Sequence, residues 1–339
     1  MQKPARRGFL RAITPRVTTA RSTQATRSTG SSTAGSTIWP CTRRRPSCKT
    51  SRPLSPPENS THARRSRWQC GDIVITSIRI VNTVSGAVHD THNAEYARFI
   101  REWLGPRARK LGWRTVAGDS EDTKAIRLAV VPLVAIGGED AELGAEARRL
   151  AAAWLKDRSS VDRDSAGIIL VAAARHSGRD FFEQLVSALR TTKDQYERYA
   201  IIAGLGAFRD PGIMRSALDL IMNPGDGIEP REVRSIISGQ WRETRGTVWE
   251  YVRKNFEALN AKLPGARGIP YGATLPSAAS AYCDASRASE VESFFKPRLT
   301  ALPGGDRNLA RVLEGIRLCE ARKKVLEPGA VEFLEKRPR

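Results

Sequence analysis

The chain has 339 residues, 40% of them apolar, and a formal net charge of +20. The length accommodates two or three ordinary domains, the apolar fraction allows a large core, and the charge raises nucleic acid or an anionic membrane as partners. The charge is unevenly placed: residues 1–70 hold 15 Lys/Arg and a single acid, Glu58, whereas residues 71–339 hold 41 basic and 35 acidic groups. Basicity is therefore mostly a property of the first segment. No run approaches ~18 consecutive apolar residues, so no membrane span is expected. The start, MQKPARRGFLRAITP, is basic, but no apolar signal core or small-residue cleavage site follows. Cysteines stand at 41, 48, 70, 283 and 319 with no CxxC spacing, and a chain of this length does not depend on a few disulfides. A reducing, cytoplasmic setting is the default expectation.

Residues 1–70 are almost without Leu, Val or Ile and show no periodicity. Such a segment buries too little surface to offset chain entropy, and a disordered, low-complexity basic segment is expected. The Arg/Ser/Thr/Pro texture also fits a coding region read out of frame. A nucleic-acid-binding arm is the weaker reading, because Trp39 and Trp68 stand almost alone and a stacking surface needs interleaved aromatics. Residues 71–93 read as a linker. Within it GDIVITSIRIVNT, residues 71–83, alternates and is β-branched, which predicts a short strand.

Helical spacing begins near Asn93 and defines a domain over 94–335. Tyr96, Phe99, Ile100 and Leu104 share a face before Gly105-Pro106. An acidic, cap-like run opens the next helix, with Ile126, Val130 and Leu133/Val134 on one side and Gly137-Gly138 at its end. Leu143, Ala147, Leu150 and Leu155 follow in an alanine-rich helix. SAGIILVAAARHSG and then Phe182, Leu185 and Leu189 continue the series. DQYERYAIIAGLGAF is interrupted near Gly204 and Gly206, and Asp210-Pro211 is an N-cap with a first-turn proline. Glu229-Pro230 opens a short helix facing Val233, Ile236 and Ile237 inward. Val248, Val252, Phe256 and Leu259 form an amphipathic stripe, and Leu309, Val312/Leu313 and Ile316 another. Helices of 10–15 residues with short breaks imply antiparallel neighbours, and ten or more in series imply a stack of hairpins. The expected fold is all-α, a superhelical stack of antiparallel helical hairpins of HEAT/ARM type.

No self-sufficient active site is legible. Zinc peptidases of the common kind place HExxH on a helix so that both histidines share a face and the Glu serves as base. The four histidines, 62, 89, 92 and 176, are never followed by Glu, and no two are four apart. His89 and His92 beside Asp90 make a weak i, i+3 metal pair. His176 ends a helix, where a cation is favourable and a structural role is expected. No GxSxG, GxxxxGK[ST] or GxGxxG occurs. Cys283 and Cys319, in or near helical segments, read as small apolar core residues rather than nucleophiles.

Several stretches together resemble the C-terminal helical domain of family M1 zinc aminopeptidases. They are Tyr96 to Trp113 with RKLGW, EDTKAIRLAVVPLVAIGGED, LGAFRDPGIMRSALDLIMNP, RGTVWEYVRKNFEAL, EVESFFKPR and RVLEGIRLCEARKK, covering about 94–335. The resemblance implies a helical domain that closes over a thermolysin-like catalytic domain and encloses a peptide chamber. It implies Arg245, Tyr251 and Lys254 as possible chamber contacts. Zinc belongs to the complete family enzyme, and no catalytic, cofactor or metal residue is assigned in this chain. The family's HExxH, its distal Glu ligand and its GAMEN-type strand are absent from the sequence. The implied function is the helical part of an aminopeptidase, probable gene fragment included, with peptide or a separate catalytic domain as partner and no independent catalysis. The alternatives are a stand-alone scaffold that binds peptides or proteins, and a basic-tailed nucleic-acid binder.

Overall fold

The computed structural model describes residues 78–336 apart from 79, 89, 224, 226, 239, 240, 264 and 266–269. The expected disorder of 1–70, His62, His89 and Cys41, Cys48 and Cys70 lie outside those residues. Among the described residues no strand is present.

The expected strand over 71–83 is corrected where it can be read: residues 80–88 are helical, α1. Val81, Val84, Ala87 and Val88 form a stripe at helical spacing, and all four are buried. The β-branching of the three valines favours a strand locally, but burial of one helical face overrides so weak a preference. The following helices are α2 (Asn93–Leu111), α3 (Glu121–Pro132), α4 (Ala141–Lys156), α5 (Arg163–Arg175), α6 (Arg179–Thr191) and α7 (Gln195–Leu205). Then come α8 (Pro211–Met222), α9 (Pro230–Ser238), α10 (Arg245–Lys254), α11 (Phe256–Lys262), α12 (Ala285–Leu299) and α13 (Gly305–Glu335). A π-helical turn, Leu133–Gly137, ends α3, and a 3-10 segment, Tyr271–Ala279, stands where a further helix would complete the series.

Short polar side chains start these helices. Ser120, Asp140, Asp194, Asp210 and Asp284 each accept a hydrogen bond from a backbone N–H in the first turn. Each thereby satisfies a donor that the helix itself leaves without a partner. Pro211 follows Asp210 at a position where its missing N–H costs nothing.

The stack alternates two rows. α4 packs on α5, α6 on α7 and α8 on α9, so each pair is a hairpin. In one row α5, α7 and α9 lie side by side and the 3-10 segment continues them, while α8 meets α10 in the other. Contact between every second element is what a solenoid of two-helix units requires. Gly204 lets α7 approach α5: a Cβ there would stand 3.2 Å from Leu185 Cδ1 and 3.3 Å from Leu170 Cβ.

The amphipathic stripe of 248–259 is split between two helices that break at Asn255, yet all four of its residues are buried. Trp249 and Phe256 meet Phe294 and Phe295 of α12 with ring centroids 5.7–5.9 Å apart. The Trp249 indole donates to Glu290 at 3.0 Å. α13 is longer than the expected 10–15 residues and runs through Pro328 without a break.

The cysteine reading is also corrected. Cys283 and Cys319 form a disulfide, with Cα atoms 5.1 Å apart. Cys283 lies in the turn between the 3-10 segment and α12, and Cys319 lies on α13. The two meet only through tertiary packing, which a spacing of 36 residues does not announce. No helix among the described residues is long and apolar enough to cross a membrane.

Candidate functional site: an arginine-lined cavity

Five parts of the stack line an open cavity of about 310 Å³. α1 supplies Asn82 and Ser85, and α2 supplies Asn93 and Tyr96. The end of α3 and its π-helical turn give Pro132, Leu133, Ile136 and Gly137. Glu139 follows, α5 contributes its last residue, Arg175, and the turn before α10 contributes Trp241, Arg242 and Glu243. π-helical turns inside α-helices recur at functional sites because they displace the backbone on one face. Glu139 has φ of 51°, the left-handed region, and is the one non-glycine residue there among the described residues. Strain of that kind persists where the surroundings hold it. Here Asn93 donates to the Glu139 carboxylate at 3.3 Å, Arg209 pairs with the same oxygen, and Arg101 donates to the carbonyl of Gly138.

Charge organises the cavity wall. Arg175 pairs with Glu243 at 3.2 Å, Arg242 approaches the same carboxylate at 3.5 Å, and Arg209 Nε lies 3.6 Å from it. The Arg175 guanidinium lies over the Trp241 ring, 4.0 Å from its centroid. Burial raises the Glu243 pKa, but its own backbone N–H and the charges of Arg175 and Arg209 outweigh burial, so the net shift is downward. Burial lowers the Arg175 pKa, and Glu243 opposes that. Burial likewise pushes the Tyr96 phenol up, with a hydrogen bond to Ser85 opposing it.

Three guanidiniums thus share two carboxylates. Arg175 is only 7% exposed, and its Nε and Nη1 find no hydrogen-bond acceptor among the described residues. A buried donor left without an acceptor is costly, and an acceptor-bearing ligand relieves that cost. A larger, open groove of about 780 Å³ between α2 and α3 also holds a buried arginine, Arg127. That guanidinium forms an ion pair with Asp119 at 2.7 Å and donates from Nε to the carbonyl of Leu111 at 3.2 Å, although its Nη1, like the two Arg175 nitrogens, lacks hydrogen-bond geometry to any acceptor among the described residues.

The three residues singled out from the sequence stand elsewhere on α10, and none lines this cavity. Arg245 pairs with Asp90 at 3.0 Å, donates to the carbonyl of Ala281 at 3.2 Å and faces the Tyr282 ring. Tyr251 is buried, and its phenol pKa is raised by burial first and then by the charge and hydrogen bond of Asp219. Lys254, at the end of α10, is exposed. Arg209 was inside a quoted motif, and Trp241-Arg242-Glu243 lay just before α10, but only the fold brings them to Arg175.

His176 packs its ring inward at the end of α5. Its ring is half-buried with Nε2 3.1 Å from the carbonyl of Ala135, and burial is the largest cause of a lowered pKa. His92 Nδ1 is hydrogen-bonded to Thr91, and Asp90 is held by Arg245. Among the described residues no three His, Cys, Asp or Glu side chains converge as a metal site.

The described residues form an all-α stack of helical hairpins. The profile of the ERAP1-like C-terminal domain matches residues 73–318, and the chain belongs to that family. Two curated relatives are rice proteins (Oryza sativa subsp. japonica). Aminopeptidase M1-C is 24% identical over 224 residues, covering 64% of this chain and 24% of that protein. Aminopeptidase M1-A is 22% identical over 249 residues, covering 71% of this chain and 27% of that protein. The chain therefore spans about a quarter of the length of the curated relatives it matches.

Proposed function

We propose that this chain is the peptide-enclosing helical part of an M1-type aminopeptidase, that it works with a catalytic domain supplied separately, and that it does not hydrolyse peptides alone. The family membership and the named activity of the rice relatives support the enzyme class. The observation that supports a binding role is the pocket of about 310 Å³ whose wall combines polar groups of Asn93, Tyr96, Arg175 and Arg242 with the Trp241 ring. A backbone carbonyl or carboxylate of the peptide is the acceptor this site takes. Exposed Lys254 on α10 is a further candidate contact.

Two measurements test this. Aminoacyl-coumarin substrates incubated with the chain and added zinc are expected to turn over no faster than buffer; a rate that is saturable in substrate and proportional to protein sinks the non-catalytic reading. Fluorescence anisotropy with labelled peptides is expected to show binding that weakens at least tenfold in Trp241→Ala, with the melting temperature little changed. Equal affinity in the variant would move the binding site away from this cavity.

A further inference from the structure

α13 is built in two unequal halves. Its first part buries Leu309, Val312, Leu313 and Ile316 against α12 and the 3-10 segment, and Arg317 pairs with Glu292 of α12 at 3.0 Å. Beyond Ile316 the only fully buried residue of the helix is Leu334. Between them a narrow stripe of Leu326, Ala330 and Val331 is partly covered. This second half nevertheless reaches the opposite end of the stack. Thr91 donates to Glu327 at 2.9 Å, and Phe333 meets Phe99 of α2 edge-on at 5.3 Å. Pro328 weakens the span further, because it offers no N–H to the carbonyl of Lys324.

The disulfide sits where α13 leaves its packed half. Cys319 follows Ile316 by three residues, and its partner Cys283 adjoins Tyr282. Tyr282 lies between the guanidiniums of Arg245 and Arg287, and Arg245 also holds Asp90 in the α1–α2 turn. Covalent bond, arginine bridge and aromatic contact thus all lead to residues 90–99, and Asn93 and Tyr96 of that stretch line the cavity. Both cysteines are half-buried, close enough to solvent for thiol exchange.

We infer that the Cys283–Cys319 disulfide is a redox-controlled lock on the tie between α13 and α2. Oxidised, it fixes the helix at the root of its lightly packed half and holds that half across the stack. A dithiol reductant opens it in two steps. One reductant thiolate attacks a protein sulfur, breaks the S–S bond and forms a mixed disulfide; the second thiol resolves that intermediate. The reductant leaves as a disulfide, and Cys283 and Cys319 become thiols with the two protons it gave up. Residues 320–335 then detach, uncovering Phe99 and Leu334 and loosening the wall that carries Asn93 and Tyr96.

Hydrogen exchange of the full chain, read by mass spectrometry with and without dithiothreitol, tests this in the absence of any peptide or catalytic partner. It therefore succeeds or fails independently of the proposed function. Peptide mapping of alkylated thiols confirms the state of residues 283 and 319. On reduction, amides in 320–335 are expected to exchange at least tenfold faster, with a smaller rise over 93–111 and none over 141–222. The Cys283→Ser/Cys319→Ser variant is expected to show the fast pattern in both buffers. Unchanged exchange of 320–335 after complete reduction overturns the lock. So does a uniform loss of protection across all helices, which would make the disulfide a general staple of the fold, and so does a purified, air-exposed chain in which both thiols are free.

Discussion

Gly144 owes its place on α4 to the imidazole of His176. A Cβ there would come within 2.8 Å of three ring atoms, and the ring cannot swing aside without losing its contact to the carbonyl of Ala135. Gly144→Ala is therefore expected to destabilise the fold by about 1–3 kcal/mol, despite the better helix propensity of alanine, as measured by urea unfolding. The same ring gives a pH dependence of definite sign. Its folded pKa lies below the unfolded value of about 6.5, so the unfolded chain binds a proton more readily in the window below it. The contribution is complete above that value and is lost as pH falls toward the folded pKa. The stability advantage of the wild type over His176→Gln is thus expected to narrow between pH 7.5 and 5. A constant difference in melting temperature over that range would contradict the assignment.

At the scale of elements, what could be read in advance was whatever repeats locally. Caps such as Asp210 and stripes such as Val248, Val252, Phe256 and Leu259 announce themselves, because a helix start and a buried face each need particular residues at fixed spacing. Over residues 80–83 the expected strand was misread because Val81, Val84 and Val88 satisfy helical spacing while their branching points the other way. Two of the motifs that carried the family likeness prove to be one packing unit, the aromatic contact of Trp249 and Phe256 with Phe294 and Phe295. The cavity was not legible. Glu139, Arg175, Arg209 and Glu243 come from four separate elements, and nothing in the spacing of 139, 175, 209 and 243 marks them as neighbours. Arg245, singled out through the family likeness, pairs with Asp90 and donates to the carbonyl of Ala281, two partners distant in sequence that its position on α10 does not announce.

For the molecule as a whole, the pairing of Asp90 with Arg245 joins the turn after α1 to the start of α10. Both side chains are partly buried, so their coupling should exceed that of a surface pair. A double-mutant cycle of Asp90→Ala and Arg245→Ala is expected to return about 1 kcal/mol of interaction energy, and a value near zero would mean that the two ends are held by α13 alone. In a simple row of repeats, order decays outward, because each terminal unit has one neighbour instead of two. Contact of α13 with α2 removes that distinction. Fraying of the last helix must therefore break a contact with the second as well as with its own neighbours.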